Sequence, residues 1–234
     1  MKTNIYKWLI IAGVMLVSAA SCTDDSLFQE KSAVMIYGTM KDQDSNTYKT
    51  VKIGTQVWMA ENLRTTKYSD GTPIPNITDD KTFHTLNTGA YCNYNNEAAN
   101  SDIYGHLYNW YAVSNSHKIA PEGWHVPTEK DWATLADFLG RENVAGGKLK
   151  ETGTDYWTAK NIGASDMYGF TALPGGTRAE EGQFSFLGTA AYWWSATQGN
   201  DRSALLRGCA NSTGSMLLLY YYKEYGFSVR LIKD

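Results

Sequence analysis

The spacing of apolar residues changes character several times along this chain. In TYKTVKIGTQVWM, residues 47–59, Tyr48, Val51, Ile53, Val57 and Trp58 suit two short strands joined near Gly54-Thr55. SDGTPIP, residues 69–75, is a turn cluster. In DIYGHLYNWYAVSN, residues 102–115, Tyr104, Leu107, Tyr108, Tyr111 and Ala112 recur at helical spacing, which predicts a helix weakened by Gly105. A second helix is predicted in PTEKDWATLADFLGRE, residues 127–142. Thr128 is its N-cap, Asp131 the capping partner, and Gly140 the stop. Trp132, Leu135, Ala136 and Leu139 form its apolar face. From residue 169 onward, short β-type runs alternate with glycines. Helices early and strands late indicate an α+β fold. No linker composition interrupts the chain after residue 34, so residues 34–234 read as one domain.

The start of the chain follows another pattern. Lys2 and Lys7 precede an apolar run too short for a comfortable bilayer span, and small residues follow. Residues 1–21 therefore read as a lipoprotein signal peptide. Ala19-Ala20-Ser21-Cys22 resembles a bacterial lipobox, with Ala19 in place of the usual Leu, and the Cys22 thiol would take the lipid. A plain signal peptide with an incidental cysteine is the alternative. Residues 22–33 read as a tether. Its Asp24-Asp25 pair resembles the acidic export tag of Bacteroidetes surface lipoproteins, or is simply a solvated linker.

Composition narrows the chemistry. A hydrophobic share of 43% supports a substantial core, and aromatics make up 13%. The formal charge is −3 with no basic run, which argues against nucleic acid as a partner, because that binding needs clustered Lys and Arg. Ser195 lacks a nucleophile elbow, and Gly147-Lys148 lacks the rest of a P-loop. The four histidines lack zinc spacing. The reading is no enzyme, no cofactor and no metal site. The oxygen-rich loop Asn93–Asp102 suits Ca²⁺ or ordinary turns. Cys92 and Cys209 either form a disulfide in an oxidising compartment or are separate buried thiols. His125, beside a helix start, reads as structural. Trp193 and Trp194 should point to opposite faces of a strand. One enters the core; Trp194 beside Tyr192 either stacks on a sugar or is covered by loops. Arg178 and Arg230 either bond carbonyls and carboxylates or line a groove for acidic glycans.

Several stretches together resemble one family: TYKTVKIGTQVWMAENLR (47–64), GAYCNYNNEAAN (89–100), YGHLYNWYAV (104–113), APEGWHVPTEKDW (120–132), GGKLKE (146–151), GFTALPGGTR (169–178), YWWSAT (192–197) and GFSVRLIKD (226–234). In this order they resemble the Fibrobacter succinogenes major paralogous domain, common in lipoproteins of Bacteroidetes and Fibrobacteres. Leu231 and Ala120 stand where relatives carry cysteine. The family's C-terminal motifs are similar to those of formylglycine-generating-enzyme-like proteins. The resemblance implies a C-type-lectin-like fold with two helices, small mainly antiparallel sheets and long loops. Gly199-Asn200-Asp201 is similar to half of a lectin sugar site. The expected function is a lipid-anchored extracytoplasmic module on the outer membrane, periplasmic or surface-exposed. It would bind a glycan or a cell-surface protein through Tyr192, Trp194, Asp201 and Arg178. The alternatives are a structural envelope component or an oxidase-like enzyme.

Overall fold

The computed structural model describes residues 37–234. The signal peptide, Cys22 and the tether lie outside the described residues. In chain order the elements are β1 (Tyr37–Lys41), β2 (Thr47–Ile53), β3 (Gln56–Met59), α1 (Asp80–Thr85), β4 (Tyr91–Cys92), α2 (Ala98–Tyr104), β5 (Leu107–Tyr108), α3 (Trp110–Val113), β6 (Trp124–His125), α4 (Glu129–Phe138), α5 (Glu142–Leu149), β7 (Gly175–Arg178), β8 (Phe184–Leu187), β9 (Ala190–Gln198), β10 (Ser203–Ala210), β11 (Met216–Tyr222) and β12 (Ile232–Lys233). This is an α+β arrangement of short helices and small antiparallel sheets, all within one unit, Ala33–Asp234.

The hairpin of β2 and β3 turns at Gly54-Thr55, as the alternation predicts. Val51 pairs with Trp58, and Ile53 with Gln56. The largest sheet has the order β1-β2-β3-β12-β6. Its C-terminal strand joins the opening hairpin: Ile232 pairs with Trp58 on one side and His125 on the other. The 3-stranded sheet β11-β10-β9 supplies the second layer, and β4-β5 and β7-β8 are two-stranded ribbons.

α4 forms as its sequence predicts. The Thr128 side chain accepts from the Asp131 N–H, and an Asp131 oxygen accepts from the Thr128 N–H at 2.8 Å. Such caps contribute about 1 kcal/mol. His125 sits between Asp234 (2.6 Å) and Asp131 (3.4 Å), a structural position.

The predicted helix over residues 102–115 does not form as one element. α2 stops at Tyr104, β5 follows, and α3 begins at Trp110. Gly105 is the cause. Its φ is +72°, and a Cβ there would lie 2.7 Å from the Asn62 Cβ and the Leu63 carbonyl oxygen. A long-range contact overrides the local period. The expected pair of helices becomes five short α-helices among the described residues, because α1 and α5 carry too little apolar periodicity to announce themselves. Within α5, Gly146 and Gly147 let the helix touch other backbone. A Cβ at Gly146 would lie 2.1 Å from the Ser215 carbonyl oxygen.

The paired tryptophans organise the core. They point to opposite faces of β9, and both are buried. Trp193 joins Trp58, Trp132 and Phe170 on one side, with its ring centroid 5.9 Å from that of Trp132. Trp194 joins Tyr108, Leu206 and Phe227 on the other, 4.8 Å from Phe227. A smaller cluster surrounds Phe83 and Cys92. Cys209 belongs to the Trp193 cluster and Cys92 to that of Phe83, so of the two alternatives the described cysteines take the separate buried thiols and form no disulfide. Both thiols are free and buried in different clusters. Burial pushes the Cys92 thiol up to about 11 and the Cys209 thiol up to about 12. Lys150 is also buried, and all three ammonium donors are used, on the carbonyls of Ile162, Ala210 and Thr213 at 2.8–2.9 Å.

Because the obstruction at Gly146 is backbone, Gly146→Ala should destabilise the fold by about 1–3 kcal/mol. Urea denaturation of the variant measures this; an unchanged midpoint would mean that α5 docks differently.

Candidate ligand-binding cleft

The floor of the main cleft begins with Asn62, where the chain leaves β3. Its amide is fully used. The Oδ1 atom accepts from Trp193 Nε1–H and Arg230 Nε–H, both at 2.9 Å. The Nδ2 group donates to the Tyr104 carbonyl at 2.8 Å and to Ser228 Oγ at 3.2 Å. One side chain thereby ties β9, α2 and the C-terminal segment together.

Arg230 completes the floor and is 1% exposed. Its Nη1 donates to the carbonyls of Met59 and Phe170, and its Nη2 to the Thr171 carbonyl at 2.8 Å. The guanidinium also lies 4.1 Å from the Phe170 ring centroid. Burial pulls its pKa down to about 9, opposed by the charges of Asp166 and Glu61, so it stays a cation at neutral pH. Thr171 is held at φ +52°, an uncommon conformation for a branched residue. Asp166 fixes it by accepting from its N–H at 2.7 Å and its hydroxyl at 2.9 Å.

Above this floor lies a cleft of about 720 Å³. β1 and the residues following β3 form one wall, the end of α2 another, and the segment Glu151–Tyr156 a third. Ile103 and Tyr156 present exposed apolar surface, 46% and 39% accessible. The Tyr156 ring is set edge-on against Tyr104, with centroids 6.2 Å apart. Tyr37 lies over Gly169, where a Cβ would come within 2.4 Å of its hydroxyl. The rim carries Lys49, Glu61, Arg64, Asp102 and Glu151. Glu61 is anchored by the Lys49 backbone N–H at 2.6 Å. Glu151 Oε2 is buried without a hydrogen-bond partner among the described residues. Burial raises the pKa of this carboxyl, with help from the negative charges of Asp155 and Asp166.

The residues expected to bind ligand do not converge on this cleft. Trp194 is fully buried and donates its indole N–H to the Tyr108 carbonyl at 2.8 Å. Arg178 is also fully buried. It bonds the carbonyls of Ile77 (2.6 Å) and Thr78 (2.9 Å), pairs with Asp80 (2.7 Å), and lies between the rings of Phe83 and Phe184. Neither residue can reach a ligand. Tyr192 is half-buried, edge-on to Phe227 and Phe186. Asp201 is exposed, and its carbonyl accepts from Lys223 Nζ at 3.0 Å. Of the candidate ligand-binding residues discussed from sequence, Arg230 and Asp102, the last residue of the oxygen-rich loop, line the cleft. Two amides of the Asn93–Asp102 loop bond backbone carbonyls: Asn96 Nδ2 donates to Thr78 and Asn100 Nδ2 to Tyr94. Among the described residues, no group of three or more His, Cys, Asp or Glu side chains is placed to hold a metal ion.

A scaffold of small antiparallel sheets and irregular segments that enclose a cleft is thus the class that these features define. The chain belongs to the Fibrobacter succinogenes major domain family, whose model matches residues 51–233, from β2 into β12. No curated protein and no solved structure matches the chain.

Asn62→Ala would orphan the Trp193 N–H and one donor of a buried cation. It should cost about 3 kcal/mol, whereas Asp201→Ala should change stability by less than about 0.5 kcal/mol. Chemical denaturation of the two variants checks the contrast.

Proposed function

We propose that this protein is a lipid-anchored extracytoplasmic module of lectin-like architecture that binds a glycan in the cleft, without catalysis. The carrying observation is the composition of the cleft. Exposed apolar surface from Tyr156 and Ile103 faces a polar floor of Asn62 and Arg230, and the rim mixes carboxylates with cations. A sugar ring has the matching character. Its C–H faces pack on aromatic and aliphatic surface, while its hydroxyls donate to the rim carboxylates and accept from the rim cations Lys49 and Arg64. The volume falls within the range of small-ligand sites. The floor is already fixed by hydrogen bonds, so little ordering is required on binding. The lectin-like architecture is supported by the pairing of the last strand with the opening hairpin and by the irregular segments that make the walls. The anchor reading rests on the charged start, the apolar run and Ala19-Ala20-Ser21-Cys22, and carries with it an outer-membrane location.

Two experiments test this reading. On a glycan array, the full chain should select a set of saccharides, and Tyr156→Ala should weaken that binding about tenfold or more while the thermal midpoint stays put. An array without signal, or binding indifferent to Tyr156, would contradict the site. In cells, Cys22→Ala should move the protein from the membrane fraction to the soluble one; continued membrane association would contradict the lipid anchor.

A further inference from the structure

The 3-stranded sheet has two edges, and the molecule treats them differently. The outer edge of β9 is covered: the N–H of Trp194 bonds the Ser228 carbonyl, and that of Ala196 bonds the Pro127 carbonyl. β11 is the opposite edge. Among the described residues, the backbone of Leu217–Tyr221 makes no hydrogen bond outside the ladder with β10. Every second residue of an edge strand aims its N–H and C=O away from the sheet, so β11 offers a row of unpaired donors and acceptors.

Edge strands are normally protected by a charge, a proline, a bulge or brevity. β11 has none of these, and α5 packs only against its beginning, at Ser215 and Met216. It is 7 residues long, reads MLLLYYY, and pairs with β10 in unbroken register. Its outward side chains are apolar as well: Leu218 is 40% exposed, Tyr220 60% and Tyr222 50%. A stripe of this kind, without charge, proline or glycine, is suited to strand addition.

We infer that β11 pairs antiparallel with β11 of a second copy of this chain, joining two 3-stranded sheets into one continuous sheet across a twofold axis at Leu219. The sequence suits this register. Leu218 of one protomer then faces Tyr220 of its partner, twice, which sets aliphatic against aromatic on the exposed face. Leu217 likewise faces Tyr221. Lys223, just past the strand, is buried and turned back onto the Asp201 carbonyl, so it sets no like charge against the partner strand. A charged partner strand, in contrast, finds no counter-charge anywhere in residues 216–222. The assembly would carry two clefts on one anchored body, so a polymeric ligand would gain avidity that a single cleft lacks. The pairing does not depend on what the cleft binds.

The test uses the full chain extracted in detergent. Sedimentation equilibrium up to about 0.1 mM should show a reversible dimer. Leu218→Cys chains mixed with Tyr220→Cys chains should cross-link to each other through a short thiol reagent faster than either does to itself, since only the mixed pair is directly opposite; Cys92 and Cys209 are buried and do not compete, and the wild-type chain sets the background from Cys22. The double variant Leu218→Lys/Tyr220→Lys places like charges face to face and should be monomeric. A wild-type monomer, a dimer that survives the double lysine variant, or cross-linking without preference for the mixed pair would each overturn the inference. So would a β11 edge occupied by a strand of an unrelated protein while the chain itself stays monomeric. Should the lysine variant misfold, the cross-linking comparison still decides.

Discussion

One buried amide holds this molecule together. Asn62 lies where the opening hairpin ends, and its four hydrogen bonds reach Trp193, Arg230, Ser228 and the carbonyl of Tyr104. Those partners belong to β9, the C-terminal segment and the end of α2. A protein with several small sheets and no dominant one needs such ties, because short strands bury little surface on their own. The node is well satisfied on both sides: Asn62 uses both its acceptor and donor capacity, and Arg230 places three of its four remaining donors on the carbonyls of Met59, Phe170 and Thr171. A half-satisfied version would be worse than an apolar core.

The same node explains why a cleft exists. Arg230 draws the 170–171 backbone inward, Gly105 brings the end of α2 against Asn62, and β1 closes a third side. The space between these segments is lined by groups that the scaffold has already fixed. Rigidity of the floor and availability of the walls therefore have one origin, which links the packing to the proposed binding.

Features set by neighbouring residues were legible in the sequence. The hairpin at Gly54-Thr55 and the Thr128–Asp131 capping box depend on contacts a few positions apart, and both form as read. The opposed tryptophans follow from strand geometry alone, although periodicity could not say that both faces of β9 are covered. Distant contacts were not legible. The helix read through Gly105 fails because Asn62, far away in sequence, occupies the space that a side chain there would need. The choice between a disulfide and two buried thiols was open in the sequence, because only the fold shows that Cys92 and Cys209 enter different clusters. The cleft gathers residues from positions 37 to 230, so its aromatic wall at Tyr156 has no local signature, whereas Trp194 and Arg178, conspicuous in their own short stretches, are absorbed by the core. Arg230 was a visible candidate because a cation in an apolar terminal strand must find acceptors.

The most direct test of the Asn62–Arg230 node is a double-mutant cycle with Asn62→Ala and Arg230→Met, read by chemical denaturation. If the two side chains form one polar unit, the double variant should be little less stable than the worse single variant, giving a coupling of about 2 kcal/mol or more. Costs that add to within about 0.5 kcal/mol would mean that the two act independently and would contradict the account.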